Sequence, residues 1–297
     1  MPVAQSGAPF SLHSARVTGA SATKRRRRGA ASASTRRPSA ATLLAVAVLA
    51  LAAFAALFPS VLATDNPISG TDAPLAPPSS HNWLGTDAVG RDLYSRIVFG
   101  ARHSLLGALL AVAVGLVVGT LVGLIAGTRG GLVDTVLMRG VDVLLSVPSL
   151  LVSLSVIILL GFGTVNAAIA VGVSSAATFA RLSRSQVLSV VGSQYVEAAF
   201  GSGSSRLKVL VRHVLPNSLA PVIALAAVQF GSAILQLATL GFLGYGTPPP
   251  TPEWGLIIAE ARDFIATAWW LTVIPGLAIV AVVLSANQLS RALRKVV

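Results

Sequence analysis

Five long stretches without a single Asp, Glu, Lys or Arg constrain this chain more than anything else in it. They are Pro38–Thr64 (27 residues), His103–Thr128 (26), Val143–Ala180 (38), His213–Pro252 (40) and Phe264–Ser290 (27). A hydrocarbon layer about 30 Å thick is crossed by roughly 20 apolar residues of helix, each rising about 1.5 Å. Four of the runs hold one span each. The 38-residue run holds two if the chain reverses at Gly161-Phe-Gly-Thr164, where glycine permits a tight turn. The reading is an all-α membrane protein with six transmembrane helices at 40–62, 104–127, 138–160, 165–182, 217–242 and 268–289.

Charge placement sets the orientation. With the N-terminus inside, the inner segments 1–39, 128–139, 181–213 and 290–297 carry 18 of the 22 Lys and Arg residues. The outer loops carry only Arg91, Arg96, Arg102 and Arg262. The positive-inside rule therefore predicts both termini in the cytoplasm and an inner-membrane location. Only 11% of residues are charged, against about 25% in soluble domains, and cysteine is absent, which excludes disulfides and thiolate metal sites.

The segment 1–39 contains Lys24-Arg-Arg-Arg-Arg28 and Arg36-Arg37 without apolar periodicity, and reads as a disordered cytoplasmic tail. Its basic residues serve as a topology signal, with attraction to anionic lipid head groups as the second reading. One aromatic, Phe10, in a tail tethered to a bilayer argues against nucleic-acid binding. Thr35-Arg-Arg37 hints at a twin-arginine signal, but Pro38 and the long apolar stretch favour an uncleaved first span.

Small residues stripe the second span. Gly115, Gly119, Gly123 and Gly127 follow each other at steps of four, with Gly107 and Ala111 continuing the line. One helical face of this kind lets two backbones approach closely, the main way helices associate in lipid. Polar residues inside spans are few. Asp142 lies three residues after Arg139, and a structural ion pair between them at the membrane edge is the favoured reading, with a place on the translocation path as the other. Gln229 and Gln236 stand two turns apart on one face; lining a path and bonding to a neighbouring helix are equally open.

No engine is visible. None of the three lysines follows a glycine, so a phosphate-binding Gly-x-x-x-x-Gly-Lys loop is impossible. The four histidines are scattered, so no metal site is expected. Gly241-x-x-Gly244-x-Gly246 reads as a helix end, where glycine permits a left-handed cap.

The inner segment 181–213 holds a short helix former, Ser193-Gln-Tyr-Val-Glu-Ala-Ala-Phe200, broken by Gly201 and Gly203. Helical character resumes at Arg206-Leu-Lys-Val-Leu-Val-Arg-His-Val214, and Pro216 is expected to end it before the next span. Physically this is a stubby helix on the inner face, with Glu197 as a fixed charge for a basic partner.

Three blocks carry a family resemblance. Glu197-Ala198-Ala199-x3-Gly203 with Leu215-Pro216 is similar to the EAA loop of ABC-importer permease subunits. Leu84-Gly-Thr-Asp-Ala-Val-Gly-Arg-Asp-Leu-Tyr-Ser-Arg96 and Leu240-Gly-Phe-Leu-Gly-Tyr-Gly-Thr-Pro-Pro-Pro-Thr-Pro-Glu-Trp-Gly255 resemble the second permease subunit of the dipeptide/oligopeptide/nickel importers. One departure is visible: Asn287-Gln-Leu-Ser-Arg-Ala-Leu-Arg294 lacks the Gly-Asp usual near the end of that family's last span.

The resemblance covers about 40–297 and implies the type I ABC importer permease fold, with an outer loop at 64–102 and a coupling loop at 183–216. It implies import of di- or oligopeptides, with nickel, haem or another small solute as alternatives and a stand-alone secondary carrier as a remote one. It also implies a homologous second permease subunit, two cytoplasmic ATPases holding ATP and Mg, and an extracytoplasmic substrate-binding protein. In such a complex Glu197, Ala198, Ala199, Gly203, Leu215 and Pro216 belong to the ATPase-coupling loop, and the chain itself needs no cofactor. The stretch Arg91–Phe99 has charged and apolar faces and is expected to lie along the outer interface; docking the binding protein and bracing the mouth of the bundle are equal readings.

Overall fold

The structure, a computed structural model, describes residues 39–293; apart from Ser39, the basic tail lies outside them. The described residues are helical, with one isolated bridge between Thr86 and Asp92 and no strand. The helices are α1 (Ala40–Leu57), α2 (Pro59–Leu62), α3 (Leu93–Arg129), α4 (Gly131–Ser146), α5 (Ser149–Leu160), α6 (Thr164–Val191), α7 (Gln194–Gly201), α8 (Arg206–Val209), α9 (Leu215–Phe242), α10 (Trp254–Ala261) and α11 (Trp270–Leu293). Five of these segments are long and apolar enough to cross a membrane: α1, α3, α6, α8–α9 as one helix, and α11. The pair α4–α5 makes a sixth if it is counted as a single broken span.

That pair corrects the expected straight span at 138–160. The chain bends by 101° between α4 and α5. Pro148 has no N–H and its ring disfavours helical geometry in the residue before it, and Val147 sits at φ −93, ψ 136. The absence of charge across this stretch concealed a break that a single proline makes. The reversal into α6 falls where glycine was expected to allow it, at Gly161 (φ 89) and Gly163 (φ 127).

Pro216 does the opposite of what was expected. The helix runs unbroken from Arg206 to Phe242, and the proline occupies its first turn after a five-residue π-helical stretch, Leu210–Val214. The widened turn, closed by Leu215 N–H on the Leu210 carbonyl, makes room for the ring. The Asn217 side-chain amide donates to the His213 carbonyl 2.6 Å away. Arg91–Phe99 is likewise no separate interfacial helix. Asp92 accepts the Ser95 N–H at 2.7 Å and N-caps α3, whose first turns contain this stretch.

The seam between α3 and α6 explains the glycine stripe sterically. A Cβ at Gly115 would lie 2.2 Å from the Ser175 hydroxyl, at Gly119 2.4 Å from the Ala176 carbonyl, and at Gly123 2.5 Å from the Ala180 carbonyl. At Gly127 it would meet Val187 at 2.7 Å. At Gly119 and Gly123 the nearest neighbour is backbone, which cannot swing aside, so any side chain there would force the helices apart. Phe179, Ala168 and Ala111 are fully buried along the same seam.

Candidate functional site

Three places gather the polar groups of the described residues: the elbow around α7 and a cavity, both on the half that charge placement predicts to be inner, and an ionic cluster in the loop predicted to be outer.

The elbow follows from local rules. Gly192 ends α6, Ser193 turns extended, and α7 makes two turns. It stops in a Schellman motif: Gly203 N–H bonds the Phe200 carbonyl at 2.9 Å and Ser204 N–H the Ala199 carbonyl at 3.2 Å. That motif needs a left-handed residue, and Gly203 supplies it at φ 80. Val196 is buried with Val187, Val209 and Val214, so one valine plug fixes α7 to the end of α6 and the start of α8–α9. Glu197 and Ala198 face outward, Ala199 is half-buried, Leu215 is half-buried and Pro216 is exposed. Beside Glu197 the apolar side chains of Tyr195 and Phe200 are also open.

The cavity lies between α6, α9 and the end of α4. It is a largely open cavity of about 810 Å³, lined by Thr178, Arg181, Ser185, Pro221 and apolar neighbours. A second hollow of about 380 Å³ adjoins it through Leu145 and Thr178 and runs past Pro148 to Ser174. Asp142 lines neither hollow but is bonded to Arg181, which lines the first, and its partner is not Arg139. It accepts from the Arg181 guanidinium at 2.5 Å. Helical spacing favours the neighbour three residues back, but α4 lies against α6 and brings Arg181 closer. Neither Gln229 nor Gln236 lines the two hollows. Both are half-buried, and the Gln236 Oε1 atom has no partner among the described residues.

The outer cluster went unread in the sequence. Asp87 Oδ2 accepts from Arg91 Nε at 2.6 Å and from Arg96 Nη1 at 2.9 Å. Glu260 Oε2, on α10, accepts from Arg91 Nη2 at 3.0 Å and Arg96 Nη2 at 2.7 Å. Two arginines and two carboxylates thus form a closed, charge-neutral square, with the Arg96 side chain only 1% exposed. Close by, Glu253 N-caps α10 by accepting from Gly255 N–H, Leu256 N–H and the Ser104 hydroxyl. Burial pushes its carboxyl above the usual range, and those three hydrogen bonds oppose the shift. The spacing of Asp87 and Arg91 was a local signal; Glu260, 164 residues beyond Arg96 in the chain, gave none.

With this geometry in place, relatives become informative. Residues 119–297 match the family described as the binding-protein-dependent transport system inner membrane component. The chain belongs to this family. The di/tripeptide transport system permease protein DppC of Pseudomonas aeruginosa is 42% identical over 251 residues, 82% of this chain and 83% of that protein. The dipeptide transport system permease protein DppC of Escherichia coli is 42% identical over 248 residues, 81% and 83% of the two chains. The glutathione transport system permease protein GsiD of Pectobacterium atrosepticum is 40% identical over 217 residues, 73% and 72%. Among solved structures, an inward-facing form of the MetNI methionine ABC transporter matches with a TM-score of 0.55 at 20% identity. That match covers 68% of this inner membrane component and 96% of the MetNI chain, and it establishes the fold they share.

Proposed function

We propose that this chain is the transmembrane permease subunit of an ATP-driven importer of di- and oligopeptides. The observation that carries the reading is identity of 42% across more than four-fifths of the chain to permeases named for di- and tripeptide transport. In this reading it sits in the cytoplasmic membrane with both termini inside, pairs with a homologous permease, and takes cargo from an extracytoplasmic binding protein. Two cytoplasmic ATPases supply the ATP and Mg chemistry.

The elbow then transmits force. Glu197, Ala198 and Ala199 present a short exposed face to an ATPase, while Gly203 lets the chain double back tightly enough to keep α7 stubby. Leu215 and Pro216 lie where the elbow joins α9. Because Val196 locks α7 to both α6 and α8–α9, a push on α7 moves two helices together rather than bending a loop. Those two helices wall the inner cavity, so their displacement opens or closes it. The glycine seam ties α3 to α6 and extends the moving body. Asp142 meets the cavity only through its bond to Arg181; Gln229 and Gln236 line neither hollow and serve helix contacts in this reading.

The test is reconstitution. The assembled complex with binding protein and ATP should concentrate a dipeptide in proteoliposomes, and Glu197→Lys should cut that uptake at least about tenfold, the scale of one lost charge-assisted contact, while inserting normally. Peptide accumulation by this chain alone under an ion gradient would overturn the reading.

A further inference from the structure

Two Arg–Asp pairs join α6 to α4, and they differ in a way that points to a ligand. Arg184 engages Asp134 with both arms of its fork, Nε on Oδ1 and Nη2 on Oδ2, and the pair is largely covered. Arg181, three residues earlier, makes a single bond to Asp142, and the two side chains are 59% and 57% exposed. Among the described residues Arg181 has no other acceptor, so most of its five N–H groups, like the second Asp142 oxygen, are uncommitted. The first pair is a staple. The second has spare capacity.

Arg181 lies 17 residues along α6 from Thr164, about 26 Å at 1.5 Å per residue, which puts it near the far edge of a hydrocarbon layer about 30 Å thick. Charged groups at such an edge turn toward polar surroundings. Arg181 in fact lines the 810 Å³ cavity, together with the hydroxyls of Thr178 and Ser185. That volume is in the range of about 300–1,000 Å³ typical of small-molecule sites. On the facing helix Pro221 has no N–H for the Asn217 carbonyl, which adds an acceptor to a wall otherwise apolar.

We propose that Arg181 and Asp142 form a partner-exchanging pair that receives the two charged termini of a short peptide during transit. The proposal rests on the peptide-importer reading. A free peptide at neutral pH carries a carboxylate and an ammonium, since its terminal groups titrate near about 3.5 and about 8. The peptide carboxylate takes the Arg181 fork as Asp134 takes that of Arg184 one turn on. Asp142, released, takes the ammonium. Each charge trades one ionic partner for another, so no charge is left bare at any step, and the pair recloses when the peptide leaves. Side-chain identity plays no part, which fits a path that passes many sequences and holds each only weakly enough to let go.

The test is binding to the assembled complex in nanodiscs without the binding protein, read by saturation-transfer NMR. The probes are Ala-Ala, N-acetyl-Ala-Ala and Ala-Ala amide. Arg181→Gln should weaken Ala-Ala and N-acetyl-Ala-Ala about tenfold, the scale of one charged hydrogen bond, and leave the amide unchanged. Asp142→Asn should weaken Ala-Ala and the amide and spare the acetylated peptide. Because each variant is compared across three probes, partial misfolding does not mimic this pattern. Equal weakening of all three probes, or no effect of either substitution, would overturn the pair's role. Failure of ATP-driven uptake by a complex whose binding follows the predicted pattern would instead strike the importer reading.

Discussion

The two ends of this protein, outer and inner by the orientation that charge placement predicts, handle charge in opposite ways. Outside, Asp87, Arg91, Arg96 and Glu260 are drawn into one buried square, and every member meets two opposite charges. Inside, Glu197 on α7 and the basic residues Arg206, Lys208 and Arg212 point away from the body. The outer network welds the loop before α3 and the first turn of α3, which are adjacent in sequence, to the distant α10. The inner elbow is held by four valines and leaves its charges for something else. A buried network in which each charge meets two opposite charges rigidifies, even with the Arg96 Nε left without a partner among the described residues; an exposed charge on a fastened helix is available to a partner.

The sharpest way to break this contrast is Arg96→Met. Removing one member of a buried ion cluster strands the others, at a cost of about 3–5 kcal/mol. The expected result is a fall of about 10 °C in the unfolding midpoint of the detergent-solubilised protein. A shift of only a degree or two would show that water reaches Asp87 and Glu260 freely and that the outer end is no weld.

Much of the body was legible because the bilayer imposes simple rules. Long uncharged runs gave the α1, α3, α6, α9 and α11 helices, and the four-residue glycine step marked the face that α6 covers. The elbow was legible because α7, its Schellman glycine and its boundaries are set by residues within ten positions of each other. What was hidden is non-local. Glu260 completes its cluster from across the chain, and Asp142 finds Arg181 only because α4 is laid against α6. Two prolines misled for opposite reasons. Pro148 breaks a run whose apolarity argued for continuity, and Pro216 is absorbed by a π turn where its presence argued for an end.

Glu253 tests the outer end more gently. It is buried, and burial holds its carboxyl above the usual range. Such a group adds stability at pH below its ordinary value of about 4.3, and that contribution is lost as pH rises through the higher folded value. Glu253→Gln keeps one oxygen for the α10 cap but cannot titrate. The wild type should therefore lead the variant most at low pH, by about 1–2 kcal/mol for the lost acceptor, and the gap should narrow toward neutrality. Thermal unfolding between pH 4 and 8 (roughly the span of carboxyl titration) measures it. A gap that widens with rising pH would mean that the ionised form is the one the fold prefers.

The smallest effect on stability is expected at the inner end, with Gly203→Val. No atom lies within 4 Å of where the new Cβ would stand, so there is no clash to relieve. The cost is backbone alone: a β-branched residue at φ 80 pays about 1–2 kcal/mol, and the elbow can evade it by opening the Schellman turn. Since α7 is tied to the body by Val196 and not by that turn, the unfolding midpoint should move by only a few degrees. Opening the turn, however, displaces the face that carries Glu197, so ATP-driven uptake should fall much further than stability does. If uptake and midpoint drop in proportion, as they should for Arg96→Met, the inner end is one more piece of scaffold. If uptake drops alone, α7 is a transmitting surface whose value lies in its position rather than in the contacts it makes within this chain.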